Sequence, residues 1–238
     1  MTLFQPRTLA WLIVALLLGG VHGAWLISMA TGHVAPGFPY VDGAITISRA
    51  GRGDPAIFLF RGTLIPAAVL LVGFWLSFGR WLQLQRELVA GERLPRQTGE
   101  RWIPWVGGIA ALFLILYALF LGTDGDVYTT LRRYGVTVFF GFTLLSQLWA
   151  AGAVRSLASA GDLPGREGLS RWLMGLVLFQ FTIGLISIFL SDYAWDEDQV
   201  ENIIEWWFAL ASCLWFAIVA RLWGPGYRIE GKLSETAD

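Results

Sequence analysis

Six stretches of the sequence are apolar over about the length that a transmembrane helix needs. They cover residues 8–30, 56–78, 102–122, 134–154, 172–190 and 203–223. An α-helix rises about 1.5 Å per residue, so roughly 20 residues cross the hydrocarbon core of a bilayer, which is about 30 Å thick. The pattern predicts an all-α membrane protein, with one domain over residues 1–223 that is a six-transmembrane-helix bundle, and a short polar tail over residues 224–238.

The composition agrees with this interpretation. Hydrophobic residues make up 55% of the 238-residue chain and charged residues 15%, and the mean hydropathy is +0.58. Such values are typical of proteins that cross a membrane several times. The first apolar stretch carries Trp11 and Trp25 near its two ends, where interfacial anchors are common. We therefore expect it to be retained as a helix and not cleaved as a signal peptide.

Basic residues are distributed unevenly among the segments that join the spans. The N-terminus, the 80–101 loop, the 155–171 loop and the C-terminus hold most of the arginines, whereas the opposite loops carry four. Cytoplasmic loops of membrane proteins are enriched in Lys and Arg. Because six spans place both termini on one side, this asymmetry predicts cytoplasmic N- and C-termini in an inner or plasma membrane.

The longest polar segment between two spans is the first outer loop, residues 31–55. Its centre, residues 40–48, is rich in β-branched side chains, and two glycines and Pro55 then favour turns directly before the second span. We expect a compact, ordered cap over the outer end of the bundle. Pro55 should be the first residue of the second helix, and Asp54 should be its N-cap.

Ionisable residues inside the spans need an explanation, because each is costly in a bilayer unless it is paired or reaches the interface. Arg61 lies six residues inside the second span and Glu205 two residues inside the sixth, both counted from the outer end. We expect them to form an ion pair; the alternative is that both extend to the outer interface. His22 is a candidate for binding a head group, for shuttling a proton or for a hydrogen bond across the bundle. An interhelical hydrogen bond is the expected role of Gln147 and Gln180.

Several enzyme and cofactor classes are disfavoured by the residues present. The chain has two histidines, His22 and His33, on one helix and the loop after it, so a haem held between two facing histidines is not available. The histidines are also too few for the ligand set of a zinc hydrolase. Ser48, His33 and Asp42 lack the sequence context of a nucleophilic triad, and no phosphate-binding glycine motif occurs. We expect no metal and no cofactor, and we expect membrane lipid, not nucleic acid, as the partner.

Residues 38–62 resemble the first outer loop and second helix of the Frag/DRAM/Sfk family of six-helix membrane proteins. The similarity rests on an aromatic-proline start, an Ile-Ser-x-x-Gly core and a proline ahead of an apolar helix: Phe38-Pro39-Tyr40, Ile47-Ser48-x-x-Gly51 and Pro55. Arg61 falls where the branch of the family that remodels GPI anchors also carries an arginine. Residues 132–149 resemble the fourth helix of the family, with Tyr134 near the place of a frequent histidine, and residues 203–210 resemble its last helix, with the pair Glu205-Trp206.

The resemblance implies a role in remodelling lipid anchors, in autophagy or in organising plasma-membrane lipids, and it brings no common catalytic mechanism. Our leading hypothesis is a protein that binds or organises a lipid or lipid-like molecule near the outer leaflet, beneath the cap. The alternatives are a lipid-remodelling enzyme that acts on acyl or head groups and a small proton- or ion-coupled transporter. The candidate ligand-binding residues are His22, Asp42, Ser48, Arg61, Tyr134 and Glu205.

Overall fold

The computed structural model describes residues 5–89, 99–160, 163, 165–190 and 197–223. Its helices are α1 (Pro6–Ala30), α2 (Ile47–Ala50), α3 (Ala56–Val89), α4 (Ile103–Phe120), α5 (Asp126–Ser159), α6 (Glu167–Leu190) and α7 (Glu197–Trp223), with a 3₁₀ turn over Glu100–Trp102 before α4. All but α2 are long and apolar enough to cross a membrane, which confirms the predicted six-helix architecture. No strand occurs in the described residues, and the predicted tail over residues 224–238 lies outside them.

Two of the helices are much longer than the apolar stretches that predicted them. The helices α3 and α5 contain 34 residues each, which corresponds to about 51 Å of helix. This length exceeds the roughly 30 Å of the hydrocarbon core, so part of each helix extends beyond it. Past the predicted end at residue 78, α3 stays helical because Trp81 and Leu82 are buried against the rest of the bundle.

The six long helices form a closed ring. Each packs against the next long helix along the chain, with α1 against α3 across the short α2, and α7 returns to pack against α1. Toward the end where α3 finishes, aromatic rings fill the centre. The ring centroid of Phe74 lies 5.0 Å from that of Phe216, and the centroid of Trp75 lies 5.8 Å from that of Trp215. The ring is therefore tightly packed at this end, while polar groups and open space lie toward the other.

A buried ion pair joins α3 to the turn before α4, at the end opposite to the start of α3. Arg86 donates Nε to one carboxylate oxygen of Glu100 at 2.8 Å and Nη2 to the other. The two side chains are only 6% and 5% exposed. Because a guanidinium and a carboxylate pair in this two-bond geometry only when they are coplanar, the contact fixes α3 against the 3₁₀ turn.

Residues 31–55, the cap, lie over the end of the ring where α3 begins. The short helix α2 belongs to the cap, and the hydroxyl oxygen of Thr46 accepts a hydrogen bond from the amide of Arg49 at 3.0 Å, which caps its first turn. The side chains of Tyr40, Ile45 and Ile47 are buried beneath the cap. The predicted ordered cap over one end of the bundle is therefore confirmed.

Helix α7 holds the cap in place. Trp206, Trp207 and Asn202 donate side-chain hydrogen bonds to carbonyl oxygens of the cap at 2.8, 3.0 and 2.7 Å, respectively. One acceptor is the carbonyl of Gly43, whose φ of 59° belongs to the left-handed region. A Cβ at this glycine would lie 2.1 Å from the backbone oxygen of Gln199. Glycine is therefore what allows the cap to approach α7 so closely.

The start of α3 differs from the prediction for Pro55 and Asp54. The helix begins at Ala56, so Pro55 precedes it. The amide of Ile57 donates to the carbonyl of Gly53 at 3.0 Å, so backbone groups satisfy the first turn. Among the described residues, no amide of this turn is bound by the carboxylate of Asp54, and the predicted N-cap is wrong.

Candidate functional site

His22 on α1 and Tyr40 in the cap are joined by a hydrogen bond. The imidazole Nδ1 lies 2.8 Å from the carbonyl oxygen of Leu18, one turn earlier on the same helix. A carbonyl oxygen can only accept, so Nδ1 carries a proton. In the neutral ring, Nε2 then accepts from the hydroxyl of Tyr40, which lies 2.8 Å away. Burial raises the pKa of Tyr40 to about 12, so this hydroxyl keeps its proton at neutral pH.

Glu205 on α7 lies directly beneath the start of α2. Its Oε2 accepts a hydrogen bond from the amide of Ile47 at 3.3 Å. The next residue, Trp206, is fully buried and packs edge-on against the rings of His22 and Tyr40, with centroid distances of 5.5 and 5.4 Å. The structure therefore brings together two of the sequence candidates, His22 and Glu205, through groups of the cap.

A cavity of about 60 Å³ is lined by these residues and extends away from the cap. Its wall is mostly apolar, with side chains from α1, α3, α4, α5 and α7. The polar groups that line it are those of His22, Tyr40, Tyr117, Glu205 and Ser212. A water molecule needs about 10–15 Å³ of such volume, so the cavity is large enough for more than one small group.

Tyr117 is the unusual member of this cavity. Its side chain is 4% exposed, and its hydroxyl has no hydrogen-bond partner among the described residues. A buried hydroxyl without a partner costs about 1–3 kcal/mol. The carboxylate of Glu205 lines the same cavity. The cavity wall therefore includes both an unused hydrogen-bonding group and an acidic side chain.

A wider groove of about 380 Å³ lies next to the cavity. It is bounded by α5, α6, α7 and the cap, and it opens to the surface of the bundle. Val136, Phe140 and Glu205 line both spaces. Glu205 thus lies at the junction between the smaller cavity and the more open groove.

Arg61 does not pair with Glu205. Its guanidinium donates to the carbonyl oxygens of Ala118, Leu119 and Leu121 at 3.2, 3.1 and 2.6 Å. These carbonyls belong to the C-terminal end of α4, where the last groups of a helix lack partners within it. Arg61 therefore caps α4 and neutralises part of its negative helix end. The predicted ion pair is wrong, because α3 packs between α1 and α4.

The other three sequence candidates lie away from the cavity. Asp42 is exposed and binds backbone amides of its own loop, those of Phe38 and Ala44, so it shapes the cap. The hydroxyl of Ser48 lies 3.2 Å from that of Thr46 at the start of α2. Tyr134 on α5 is 63% exposed. None of the three lines the cavity or the groove described here.

The predicted interhelical hydrogen bonds of the two glutamines are present. The amide of Gln180 on α6 donates to the side-chain oxygen of Gln147 on α5 at 3.1 Å. The hydroxyl of Ser212 on α7 donates to the side-chain oxygen of Gln180 at 2.6 Å. All three side chains are buried, so this polar network fixes α5, α6 and α7 relative to one another below the groove.

The residues of the site that were not sequence candidates include Tyr40, Tyr117 and Asn202. Tyr40 belongs to the aromatic-proline motif, and that motif was the available signal. Tyr117 lies in an apolar run, where an aromatic side chain usually packs, so nothing marked its hydroxyl. Among the described residues, no group of three or more His, Cys, Asp or Glu side chains is placed to hold a metal ion.

Six apolar helices in a closed ring and a cap over one end define a multi-pass membrane protein with a partly polar cavity beneath that cap. Residues 7–221 match the family model described as the Frag1/DRAM/Sfk1/Cwh43P N-terminal domain. The chain belongs to this family, and the resemblance seen in the cap motif is confirmed. Comparisons with curated proteins and with solved structures gave no match.

Proposed function

We propose that this protein holds a lipid or lipid-like molecule in the cavity and groove beneath the cap, at the outer leaflet. The observation that supports it is the position of Glu205, where a small cavity of about 60 Å³ meets a wider groove of about 380 Å³. The groove takes most of such a molecule, and the cavity takes one small part of it.

The chemistry of the two spaces suits an amphipathic ligand. Polar groups concentrate beneath the cap, where His22, Tyr40 and Glu205 line one cavity. Away from the cap the wall is apolar and includes Leu64 and Phe216. A carboxyl group inside a membrane-spanning helix is costly unless a partner or a function offsets the cost. A ligand that binds Glu205 and lays an apolar chain along the groove supplies such a partner.

Native mass spectrometry of the purified protein tests the proposal. Leu210 lines the cavity, whereas Leu214, one turn along α7, is 43% exposed on the outside of the bundle. Leu210→Trp fills the cavity and should reduce the amount of retained lipid. Leu214→Trp makes the same change outside the site and should leave it unchanged. Equal retention by both variants, or no lipid retained by the wild type, contradicts the proposal.

The proposal includes an orientation, in which the cap faces outward and both termini are cytoplasmic. Its support is the excess of arginine in the N-terminus, the 80–101 loop, the 155–171 loop and the C-terminus. A reporter that is active only in the cytoplasm should work when fused after Asp238 or inserted between residues 91 and 99. The same reporter inserted near Gly125 should be inactive. The reverse pattern would invert the orientation.

A further inference from the structure

The groove carries two carboxylates on one face of α7. Glu201 and Glu205 both line it, and they are one turn apart, at positions i and i+4. Like charges at this spacing repel each other and destabilise a helix. A positive charge bound between two acids in this arrangement offsets that repulsion.

No side chain of the described residues supplies that charge. Among the groove-lining residues that the structure describes, none is Lys, Arg or His. The only ion pair in the described part of the chain is Arg86–Glu100, at the opposite end of the bundle. In particular, neither Arg52 nor Arg132 forms an ion pair with Glu201 or Glu205.

The remaining polar groups around the junction favour a hydrogen-bond donor as the ligand. Asn202 uses its amide nitrogen to bind the carbonyl of Gly43, so its side-chain oxygen is left to accept. The buried hydroxyl of Tyr117 has no partner and faces the cavity that meets the groove at Glu205. The aromatic rings of Phe140 and Phe208, with centroids 5.3 Å apart, form part of the groove wall and present π-electron density that attracts cations.

We infer that the groove recognises a primary ammonium group, of the kind that an ethanolamine phospholipid carries. The ammonium binds at Glu205 and Glu201, and its three N–H donors match the acceptors that line the groove, namely the two carboxylates and the side-chain oxygen of Asn202. The inference rests on the proposed function and specifies the ligand: the site selects for the amine of the head group. A lipid without a positive charge leaves the two carboxylates uncompensated.

The experiment is a competition among lipids with matched acyl chains. The wild-type protein in detergent is exposed to equal amounts of phosphatidylethanolamine, phosphatidylcholine and phosphatidylglycerol, and the retained lipid is identified by native mass spectrometry. Hydrogen bonds to charged groups are strong enough that we expect phosphatidylethanolamine to exceed phosphatidylglycerol by about tenfold. It should also exceed phosphatidylcholine, whose quaternary nitrogen carries no N–H donor.

Three variants identify the groups responsible. The double variant Glu201→Gln with Glu205→Gln should bring retention of the ethanolamine and glycerol lipids close to equal, while total retention persists. Glutamine keeps an oxygen that accepts from the amide of Ile47, so the cap contact is preserved. Glu201→Gln alone, at an exposed residue, should give a partial loss of preference without a risk to folding. Asp124→Asn removes an exposed acid at the same end of the bundle and should change nothing.

The outcomes separate this inference from the proposed function. Lipid that is retained without an ethanolamine preference overturns the inference and leaves the proposed function intact. A preference that survives in the double variant also overturns it, because the amine is then recognised elsewhere. If the wild type retains no lipid, the proposed function fails and the inference fails with it.

Discussion

Removal of one partner of the Arg86–Glu100 ion pair should destabilise the protein strongly. Both side chains are almost fully buried, at 6% and 5% exposure, and each carries two hydrogen bonds to the other. Arg86→Met leaves the carboxylate of Glu100 without a countercharge, and Glu100→Gln leaves the guanidinium without one. Breaking a buried pair in this way costs about 3–5 kcal/mol.

Removal of both partners should cost much less than the sum of the two single changes. In the double variant no charge is left stranded, and replacement of a buried ion pair by uncharged groups is often close to neutral. We therefore expect a coupling free energy of at least about 2 kcal/mol between Arg86 and Glu100. The sign of the coupling free energy matters as much as its size, because the second substitution should restore part of the stability that the first one removes.

Equilibrium unfolding in mixed micelles, with increasing SDS and detection by tryptophan fluorescence, measures these free energies. Arg80→Met is the matched control, since Arg80 is exposed on the same helix and makes one long hydrogen bond, 3.5 Å from Gln83. Its free energy of unfolding should change by less than about 0.5 kcal/mol. A coupling within about 0.5 kcal/mol of zero refutes the reasoning, as do single substitutions at Arg86 or Glu100 that cost no more than Arg80→Met.

The same unfolding assay tests three further expectations. Gly135→Ala should destabilise by about 1–3 kcal/mol, because its Cβ would lie 2.8 Å from backbone of α4; Gly141→Ala on the same helix meets nothing within 4 Å and should be neutral or stabilising. Gln180→Leu should cost about 1 kcal/mol through the loss of the interhelical network, whereas Thr182→Val, at an exposed residue of α6, should cost less. Arg61→Met removes the hydrogen-bond donor from the end of α4 and should lower the free energy of unfolding by about 1.5–3 kcal/mol. Arg61→Lys should retain part of that stability. An unchanged free energy of unfolding in Arg61→Met would contradict the capping role.

The membrane-spanning part of each helix could be predicted from the sequence, but the points where the helices begin and end outside the bilayer could not. A run of about 20 apolar residues has few alternatives to a membrane-spanning helix. The first turns of α5, from Asp126 to Arg133, are polar and largely exposed, so hydropathy placed the start at residue 134. Backbone hydrogen bonding continues a helix into water regardless of polarity, and the sequence pattern carries little signal of where it stops.

The candidate site was partly predictable. Ionisable residues are rare in membrane spans, so the sequence singles them out, but it does not show which residues they contact. His22 and Glu205 were selected as ionisable groups within spans, and both line the cavity. Arg61 was selected for the same reason and matched to Glu205 by depth alone. Depth along a helix follows from the sequence, but the neighbour across the bundle depends on the order of helices around the ring. In that ring α3 packs beside α4, so the guanidinium of Arg61 donates to carbonyl oxygens at the C-terminal end of α4.

The attachment of the cap to α7 has a consequence for synthesis. The cap lies between the first two spans, yet three of its backbone acceptors are bound by side chains that follow them in the chain by 159 to 167 residues. At about 5–20 residues per second, a ribosome needs on the order of 10 seconds or more to make that interval. Until α7 is inserted, the cap is held only by its contacts with earlier helices, such as the hydrogen bond between His22 and Tyr40, and the part of the cavity wall that α7 supplies is missing. The site is completed last, and a nascent chain with five spans in the membrane is still unable to use it.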